Sequence, residues 1–167
     1  MITIRPATLE DIPLIRSLAE VVFPATYDAL LPDGQVAYMM EWMYSAQNLR
    51  RQLEEGHTYY IAYRDTTPCG YLSVEPQSAT RFHLQKIYVL PAFQGEGIGR
   101  RLFQQAVEQV RREGQLPATL ELNVNRKNRA VKFYRKMGMH PARTVDVEIG
   151  EGFYMNDYIM ELKIEES

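Results

Sequence analysis

The chain has 167 residues, of which 46% are hydrophobic and 24% charged, and its formal net charge at pH 7 is −2. These values predict one globular domain over residues 1–167 with a substantial core, and they argue against a dedicated nucleic-acid binder. The single cysteine excludes an intramolecular disulfide, and no apolar run approaches the roughly 18 residues of a membrane span. Because the N-terminus lacks the pattern of a signal peptide, we expect a soluble, cytoplasmic protein.

The N-terminal third of the chain is predicted to form one strand followed by helices. Thr8 precedes an acidic turn, as at the start of a helix, and apolar residues then recur at helical spacing. Pro24 is expected to stop this helix, since proline interrupts helical hydrogen bonding. The pattern predicts a strand at residues 2–5 and helices at residues 9–23, 33–44 and 46–55.

A β meander is predicted next, because apolar and β-branched runs are separated by turn-forming residues. The polar sequence from Asp65 to Pro68 is expected to form the first turn. Cys69 would then lie at this turn, with a structural role. The three strands are predicted at residues 57–64, 69–77 and 81–90.

The second half of the chain alternates helices and strands. An amphipathic helix begins after a glycine-rich loop, and a later helix is expected to end at Gly138, the usual position of a capping glycine. The other elements are a strand at residues 118–124, a helix at 127–137 and a hairpin with strands at 139–149 and 153–164. This order predicts an α/β (α+β) fold, a mixed sheet flanked by helices, with parallel pairing where the amphipathic helix crosses over.

The most informative segment is the loop that opens this amphipathic helix. Three alternate glycines let backbone N–H groups converge without side chains in the way, although a tight strand-to-helix connection would use the same glycines. A helix N-terminus also offers unpaired N–H groups and the positive end of the helix dipole. The sequence Gln94-Gly95-Glu96-Gly97-Ile98-Gly99 therefore predicts a site for a small molecule that carries a diphosphate.

Other nucleotide-binding and catalytic motifs fit the chain less well. A dinucleotide-binding unit requires G-x-G-x-x-G, whereas the pattern here is G-x-G-x-G, although Glu121 lies at a suitable distance for the acidic residue of that motif. The chain has no Gly-Lys-Ser/Thr of a P-loop and no G-x-S-x-G of a serine hydrolase. A nucleophilic pair of Cys69 with His57, His83 or His140 is disfavoured, and these histidines lack metal-ligand spacing, so no metal is expected.

Two blocks of the chain resemble the GCN5-related N-acetyltransferase (GNAT) superfamily. The first block is Val89-x-Pro91-x-x-Gln94-Gly95-x-Gly97-Ile98-Gly99, which resembles the signature Q/R-x-x-G-x-G/A with its preceding strand. The second runs from Leu120 through Asn128 and Tyr134 to Met139. The outer segments at residues 23–27, 38–44, 84–88, 123–126 and 152–158 resemble the spermidine/spermine acetyltransferase-type branch.

The resemblance implies a fold, a donor and an acceptor. The fold would be a mostly antiparallel sheet of six or seven strands in which the fourth strand splays from the fifth. The donor would be acetyl-coenzyme A (acetyl-CoA), with its pyrophosphate on the N–H groups from Gly95 to Arg100 and with Gln94 closing the start of the loop. Arg100 and Arg101 would add charge near the phosphates or lie on the solvated helix face. The acceptor would be a primary amine.

The resemblance also assigns roles around the acetyl group. The backbone of Ile87, Tyr88 and Val89 on the splayed strand would hold the pantetheine arm, and one N–H would polarise the thioester carbonyl. Asn128 would contact the coenzyme arm, or else cap the start of its helix. Tyr134 would protonate the departing thiolate, or else belong to the apolar core.

The general base and the acceptor stay open. The candidate bases on predicted strands are Glu75, His83, Glu121 and Asp157, and no motif selects one of them. The acids expected to attract a polycation are Glu41, Asp146, Glu148 and Glu151, although most are more typical of a solvated surface. We expect an amine N-acetyltransferase with a polyamine acceptor. Acetylation of a protein N-terminus or lysine, and a non-catalytic acetyl-CoA-binding module, are the alternatives. Edge strands of the last hairpin would allow a homodimer.

Overall fold

A computed structural model describes residues 1–166, which form seven strands and five α-helices, with short 3-10 turns at Leu9–Asp11 and Pro91–Phe93. The strands are β1 (Ile2–Pro6), β2 (Thr58–Arg64), β3 (Thr67–Ser78), β4 (Arg81–Val89), β5 (Ala118–Asn125), β6 (His140–Gly150) and β7 (Phe153–Ile164). The α-helices are α1 (Ile12–Tyr27), α2 (Gln35–Tyr44), α3 (Ala46–Glu54), α4 (Ile98–Glu113) and α5 (Ala130–Lys136). None of these helices is both long enough and apolar enough to cross a membrane.

The seven strands form one sheet in the order β1-β2-β3-β4-β5-β7-β6. Neighbouring strands are antiparallel except β4 and β5, which are parallel because α4 crosses over between them. One face of the sheet packs against α4 and α5, and the other packs against α1, α2 and α3. The structure confirms the predicted fold, a mixed and mostly antiparallel sheet flanked by helices.

β4 and β5 stay together over a short length only. Residues 81–83 of β4 pair with residues 119–121 of β5, and no pair joins the two strands beyond this point. β5 instead continues along β7 as far as Asn125. This separation confirms the predicted splay. We call the opening between residues 84–89 and residues 122–125 the gap.

A bulge in β4 changes which side chains face each side of the sheet. Val74 of β3 lies opposite Leu84, but the neighbouring Ser73 lies opposite Lys86, so Gln85 has no partner in the register. Leu84 packs on the α4 face. In an unbroken strand Lys86 and Tyr88 would follow Leu84 onto that face, because side chains alternate with a period of two. The bulge sends both to the opposite face, beneath α1, α2 and α3.

The prediction that Pro24 stops the first helix is wrong. α1 continues to Tyr27, and the N–H of Asp28 donates to the carbonyl of Pro24 at 2.9 Å. Pro24 removes the helical hydrogen bond to the carbonyl of Glu20, and the burial of Phe23 with Tyr27 packed against it favours the last turn despite this loss. The extra turn brings the ring of Tyr27 to 4.6 Å from the ring of Phe23, centroid to centroid.

The predicted position of Cys69 is also wrong. Asp65 has a left-handed backbone with φ of 53°, so the hairpin closes over two residues and Thr67 already pairs with Arg64. Cys69 therefore lies inside β3, fully buried on the α4 face, with Sγ 3.5 Å from the carbonyl oxygen of Ala62. Its burial supports the structural role expected for it.

Candidate active site

The glycine loop lies at the end of β4, where the gap is open. Gly95 and Gly97 have φ values of 83° and 82°, which favour glycine, and a Cβ added at either position would meet no atom within 4 Å. Gly99 is different, since it is helical and lies against the ring of Phe133. The first two glycines thus leave their backbone open on the outer side.

Six successive backbone N–H groups in this loop have no protein acceptor. Within residues 1–166, the N–H groups of residues 95–100 donate to no carbonyl and no side chain, and the first helical bond runs from Arg101 to the carbonyl of Gly97 at 3.1 Å. No side chain caps α4. Free N–H groups at the positive end of a helix dipole are suited to phosphate oxygens, so these residues fit a pyrophosphate.

Side chains at the base of the loop tie it to the sheet. The carboxylate of Glu96 accepts two hydrogen bonds of 2.9 Å from the guanidinium of Arg64 on β2, so its charge is paired. The amide of Gln94 donates to the carbonyl of Val89 at 3.2 Å, across the start of the loop. Arg100 is exposed, whereas Arg101 bonds the carbonyl of Ile2 at 3.4 Å.

The β4 backbone predicted to hold the coenzyme arm borders the gap. Ile87, Tyr88 and Val89 pair with β3 on one side, and on the other side no strand faces them. Asn128 lies just before α5, where its side-chain oxygen accepts the N–H of Ala130 at 2.9 Å. This bond closes a tight turn just before α5, which begins at Ala130, three residues later than predicted.

Tyr134 is a buried residue of α5 whose hydroxyl has no hydrogen-bond partner within residues 1–166. Burial, with a smaller contribution from nearby Tyr27, raises the pKa of Tyr134 well above its ordinary value. The hydroxyl is therefore fully protonated at neutral pH. Tyr27 also forms a 3.0 Å hydroxyl contact with Tyr88. Tyr27 had no predicted role beyond the resemblance of residues 23–27, because Pro24 was expected to end the helix before it.

A cavity of about 480 Å³ lies on the other face of the sheet, beneath α1, α2 and α3. Three of the four candidate bases line it, namely His83, Glu121 and Asp157. Glu75 does not line it, and its carboxylate instead lies 3.0 Å from Nε2 of His57. The acids expected to attract a polycation also lie outside its lining, at positions exposed to solvent; they are Glu41, Asp146, Glu148 and Glu151.

Glu121 and His83 hold each other at the closed end of the gap. Nδ1 of His83 lies 2.7 Å from one carboxylate oxygen of Glu121, and the guanidinium of Arg81 bonds the other oxygen. Burial alone would raise the pKa of Glu121, but its bonds to His83 and Arg81 outweigh this effect and lower the pKa. Both oxygens of Glu121 are thus engaged within the protein.

Asp157 is less constrained than Glu121. Only 3% of it is exposed, and its side chain accepts one long hydrogen bond, 3.4 Å from Nδ2 of Asn123. Burial raises the pKa of Asp157, although Asn123 and the charge of Arg126 partly offset this effect. Its charge is also close enough to Tyr27 to help raise the pKa of that tyrosine. Asp157 is therefore a buried carboxyl group with free acceptor capacity beside the tyrosines.

Lys86 is a cavity residue that the sequence analysis did not single out. It is 4% exposed, and its ammonium donates to Oε1 of Gln52 at 2.9 Å and to the hydroxyl of Tyr59. Burial lowers the pKa of Lys86 to about 7. The sequence around it gives little signal, because β4 also contains Arg81, His83 and Gln85, and the orientation of Lys86 depends on the bulge at Gln85.

Comparison with known proteins agrees with this geometry. Residues 30–162 match the family model of the acetyltransferase (GNAT) domain. The chain belongs to the GNAT acetyltransferase family. Its members are acyl-CoA-dependent N-acetyltransferases. In this GNAT domain β4, the glycine loop, α4, β5 and α5 follow one another along the chain in the predicted order.

Solved structures similar to this GNAT domain cover nearly its whole length. They include a PaiA N-acetyltransferase from Thermoplasma acidophilum in complex with coenzyme A, with 24% identity, a TM-score of 0.80 and coverage of 98% of this chain and 99% of that chain. A GCN5-related N-acetyltransferase from Rhodopseudomonas palustris has 19% identity, a TM-score of 0.82 and coverage of 97% and 95%. A ribosomal-protein alanine N-acetyltransferase from Escherichia coli has 19% identity, a TM-score of 0.76 and coverage of 100% and 96%. At these identities the likeness concerns the fold.

Proposed function

We propose that this protein transfers the acetyl group of acetyl-CoA to the primary amine of a small acceptor bound in the cavity. The observation that carries the proposal is the run of six unpaired N–H groups at residues 95–100, at the end of β4 that borders the gap. These groups suit the pyrophosphate of coenzyme A, and the similar archaeal structure is a complex with coenzyme A. The cavity provides a separate space for the acceptor.

In this proposal the gap holds the thioester between donor and acceptor. Acetyl-CoA supplies the activated acyl group. A backbone N–H from Ile87, Tyr88 or Val89 donates to the thioester oxygen and stabilises the negative charge that develops there. The protonated hydroxyl of Tyr134 donates its proton to the leaving thiolate. Asn128, whose side-chain oxygen accepts the N–H of Ala130 just before α5, orients the coenzyme arm.

We assign the removal of the amine proton to Asp157. An alkylamine is mostly protonated at neutral pH and must lose a proton before it attacks. The buried Asp157 carboxylate has free acceptor capacity and a raised pKa, which strengthens it as a base. Glu121 is a weaker candidate, since Arg81 and His83 occupy its two oxygens. We assign Glu121 and His83 a positioning role, in which their contact holds β4 and β5 together at the closed end of the gap.

A polyamine such as spermidine or spermine is the acceptor that the sequence resemblance predicts, and it stays a prediction. Asp157 supports it, because it is a carboxyl group in the cavity wall with free acceptor capacity that would attract an ammonium group. A peptide N-terminus is the alternative acceptor, and the ribosomal-protein alanine N-acetyltransferase is a similar structure named for such a substrate. The cavity lies between the sheet and three helices, which favours a small molecule.

The proposal is tested by incubating the protein with acetyl-CoA and single amines and following release of the free thiol. Spermidine, phenethylamine and a short peptide with a free N-terminus represent the acceptor classes. Spermidine KM should rise with ionic strength more steeply than phenethylamine KM, because salt screens attraction between charges. A higher kcat/KM for the peptide at physiological salt would refute the small-acceptor proposal. The absence of thiol release with any amine would refute acetyl transfer to amines.

A further inference from the structure

Lys86 is a cation in the wall of the acceptor cavity. The ammonium lies 4.9 Å from the ring centroid of Tyr44 and 5.1 Å from that of Tyr59, so two aromatic faces surround it. Gln52 and Tyr59 accept two of its three N–H groups. The third N–H has no acceptor within residues 1–166. In its protonated form Lys86 therefore has one donor left for a group that enters the cavity.

Lys86 forms no ion pair within residues 1–166, although ion pairs involve many other charged residues of this protein. A buried charge without a counter-ion is costly, and buried lysines normally have an acidic partner. Neutral hydrogen bonds and aromatic faces stabilise an ammonium less than a carboxylate does. Desolvation is the single cause that lowers the pKa of Lys86, which agrees with the lack of a nearby anion.

The opposite side of the gap carries the opposite charge. Asp157 of β7 and Glu121 of β5 line the same cavity, whereas Lys86 projects from β4. Exposed Arg51 of α3 also lines the cavity, and Gln52 beside it bonds Lys86. Since Arg81 and His83 engage Glu121, Asp157 forms the acidic wall of the cavity on the β7 side, and Lys86 with Arg51 forms a basic wall beneath α3.

We propose that Lys86 binds a carboxylate of the acceptor, so that the acceptor is an amino acid, a primary amine that also carries an acid. The acidic wall then receives the amine and the basic wall receives the carboxylate. This inference rests on the proposed function, and it names the acceptor class. It differs from the polyamine prediction, because the second ammonium of a polyamine would lie against Lys86 and Arg51.

Three acceptors of equal chain length separate these possibilities. Hexylamine, hexamethylenediamine and aminocaproate each have a six-carbon chain with an amine at one end, and the other end is a methyl group, a second amine and a carboxylate respectively. We expect kcat/KM for aminocaproate to exceed that for hexylamine by roughly tenfold, since charge-assisted hydrogen bonds are the stronger ones. The diamine should be the poorest acceptor. A preference of the unmodified protein for the diamine would overturn the inference.

The variant Lys86→Met removes the charge and keeps an unbranched apolar side chain. It should lose the preference for aminocaproate over hexylamine, measured as the ratio of kcat/KM for the two acceptors, since only aminocaproate uses the charge. Lys163→Met is the matched control, because it removes an equal charge from an exposed position on β7. A retained aminocaproate preference in Lys86→Met would assign Lys86 a structural role.

Calorimetry separates a failure of this inference from a failure of the proposed function. Aminocaproate is titrated into the protein saturated with coenzyme A, which requires no turnover. Binding that is weakened roughly tenfold in Lys86→Met but not in Lys163→Met supports the carboxylate site even if no amine is acetylated. Acetylation of hexylamine with equal binding of aminocaproate to both variants supports the acetyltransferase and refutes the carboxylate site.

Discussion

Lys86 and Asp157 line one cavity from opposite sides of the gap between β4 and β5. Burial shifts the pKa of each group in the direction that favours its neutral form. Burial lowers the pKa of the lysine to about 7 and raises the pKa of the aspartate. In their charged forms the two residues would stabilise a ligand that places a carboxylate against Lys86 and an ammonium group against Asp157. This relationship connects the proposed base to the proposed acceptor class.

Asp157→Asn should lower kcat by at least about 100-fold, because it removes the group that takes the amine proton. The variant should nevertheless melt at a higher temperature at pH 7. Burial raises the folded-state pKa of Asp157 above its unfolded value, so its contribution to stability falls as pH rises through the folded pKa. The difference in melting temperature should therefore shrink as the pH is lowered below the unfolded pKa of about 3.9.

Asp146→Asn is the control for this substitution. Asp146 is exposed and pairs with Arg126, whose guanidinium also bonds the carbonyl of Asp157. It should keep kcat within about twofold of the unmodified enzyme, since surface ion pairs contribute little. An equal loss of kcat in both variants would show that a disturbed Arg126, and not a missing base, causes the effect.

Tyr134→Phe should lower kcat on the order of 100-fold with little change in coenzyme A affinity, because it removes the proton donor and keeps the ring in the core. Steady-state kinetics and calorimetry measure the two quantities. Tyr60→Phe is the matched control: it removes another buried hydroxyl, which donates to Gln109 at 2.9 Å, and should reduce stability alone. Near-normal kcat in Tyr134→Phe would assign Tyr134 to the core.

Gly97→Val should raise the dissociation constant of coenzyme A sharply, since its side chain would enter the open space beside the unpaired N–H groups. The substitution also strains the backbone, because Gly97 has a φ of 82°. Gly56→Val controls for strain, as Gly56 has a φ of 102°, open surroundings and a position before β2. Calorimetry that gives equal affinities for the two folded variants would exclude the pyrophosphate from this loop.

Asp11→Asn should lower the free energy of unfolding by about 1 kcal/mol at pH 7, because it removes the ion pair with Arg5. The effect is modest because the Arg5 side chain is partly exposed to solvent. The bonds from Arg5 lower the pKa of Asp11 to about 2, below its unfolded value, so this stability is present above the unfolded pKa. It should be lost as the pH falls towards 2. Denaturant unfolding of both proteins across this range measures the difference.

The exposed ion pair at Asp65 is the comparison for Asp11. Asp65 pairs with the N-terminal ammonium at 2.8 Å, and its side chain is 71% exposed. Asp65→Asn should leave unfolding unchanged, because solvent screens the pair and asparagine tolerates the left-handed backbone. A loss equal to that of Asp11→Asn would mean that exposure does not set the strength of these ion pairs.

Local patterns were sufficient to predict most elements and the position of the glycine loop before α4. The alternate glycines before α4 depend on nearby backbone geometry, so their sequence carries the prediction directly. The helical period of α4 likewise predicted its buried face, which includes Leu102 and Ala106. The prediction at Pro24 was wrong because the helix continued for one more turn after the proline. The prediction at Cys69 was wrong because the hairpin closes over two residues, so that Cys69 lies within β3.

The sequence by itself determined the family, the order of elements and the residues of the loop, because each depends on neighbours along the chain. Only the tertiary structure decided which charges share the cavity. Lys86 reaches it because a bulge at Gln85 reverses the alternation of β4, and Asp157 reaches it because β7 inserts beside β5. The two residues are 71 positions apart in the sequence. No local period encodes their meeting across the gap, since it results from how the strands pair.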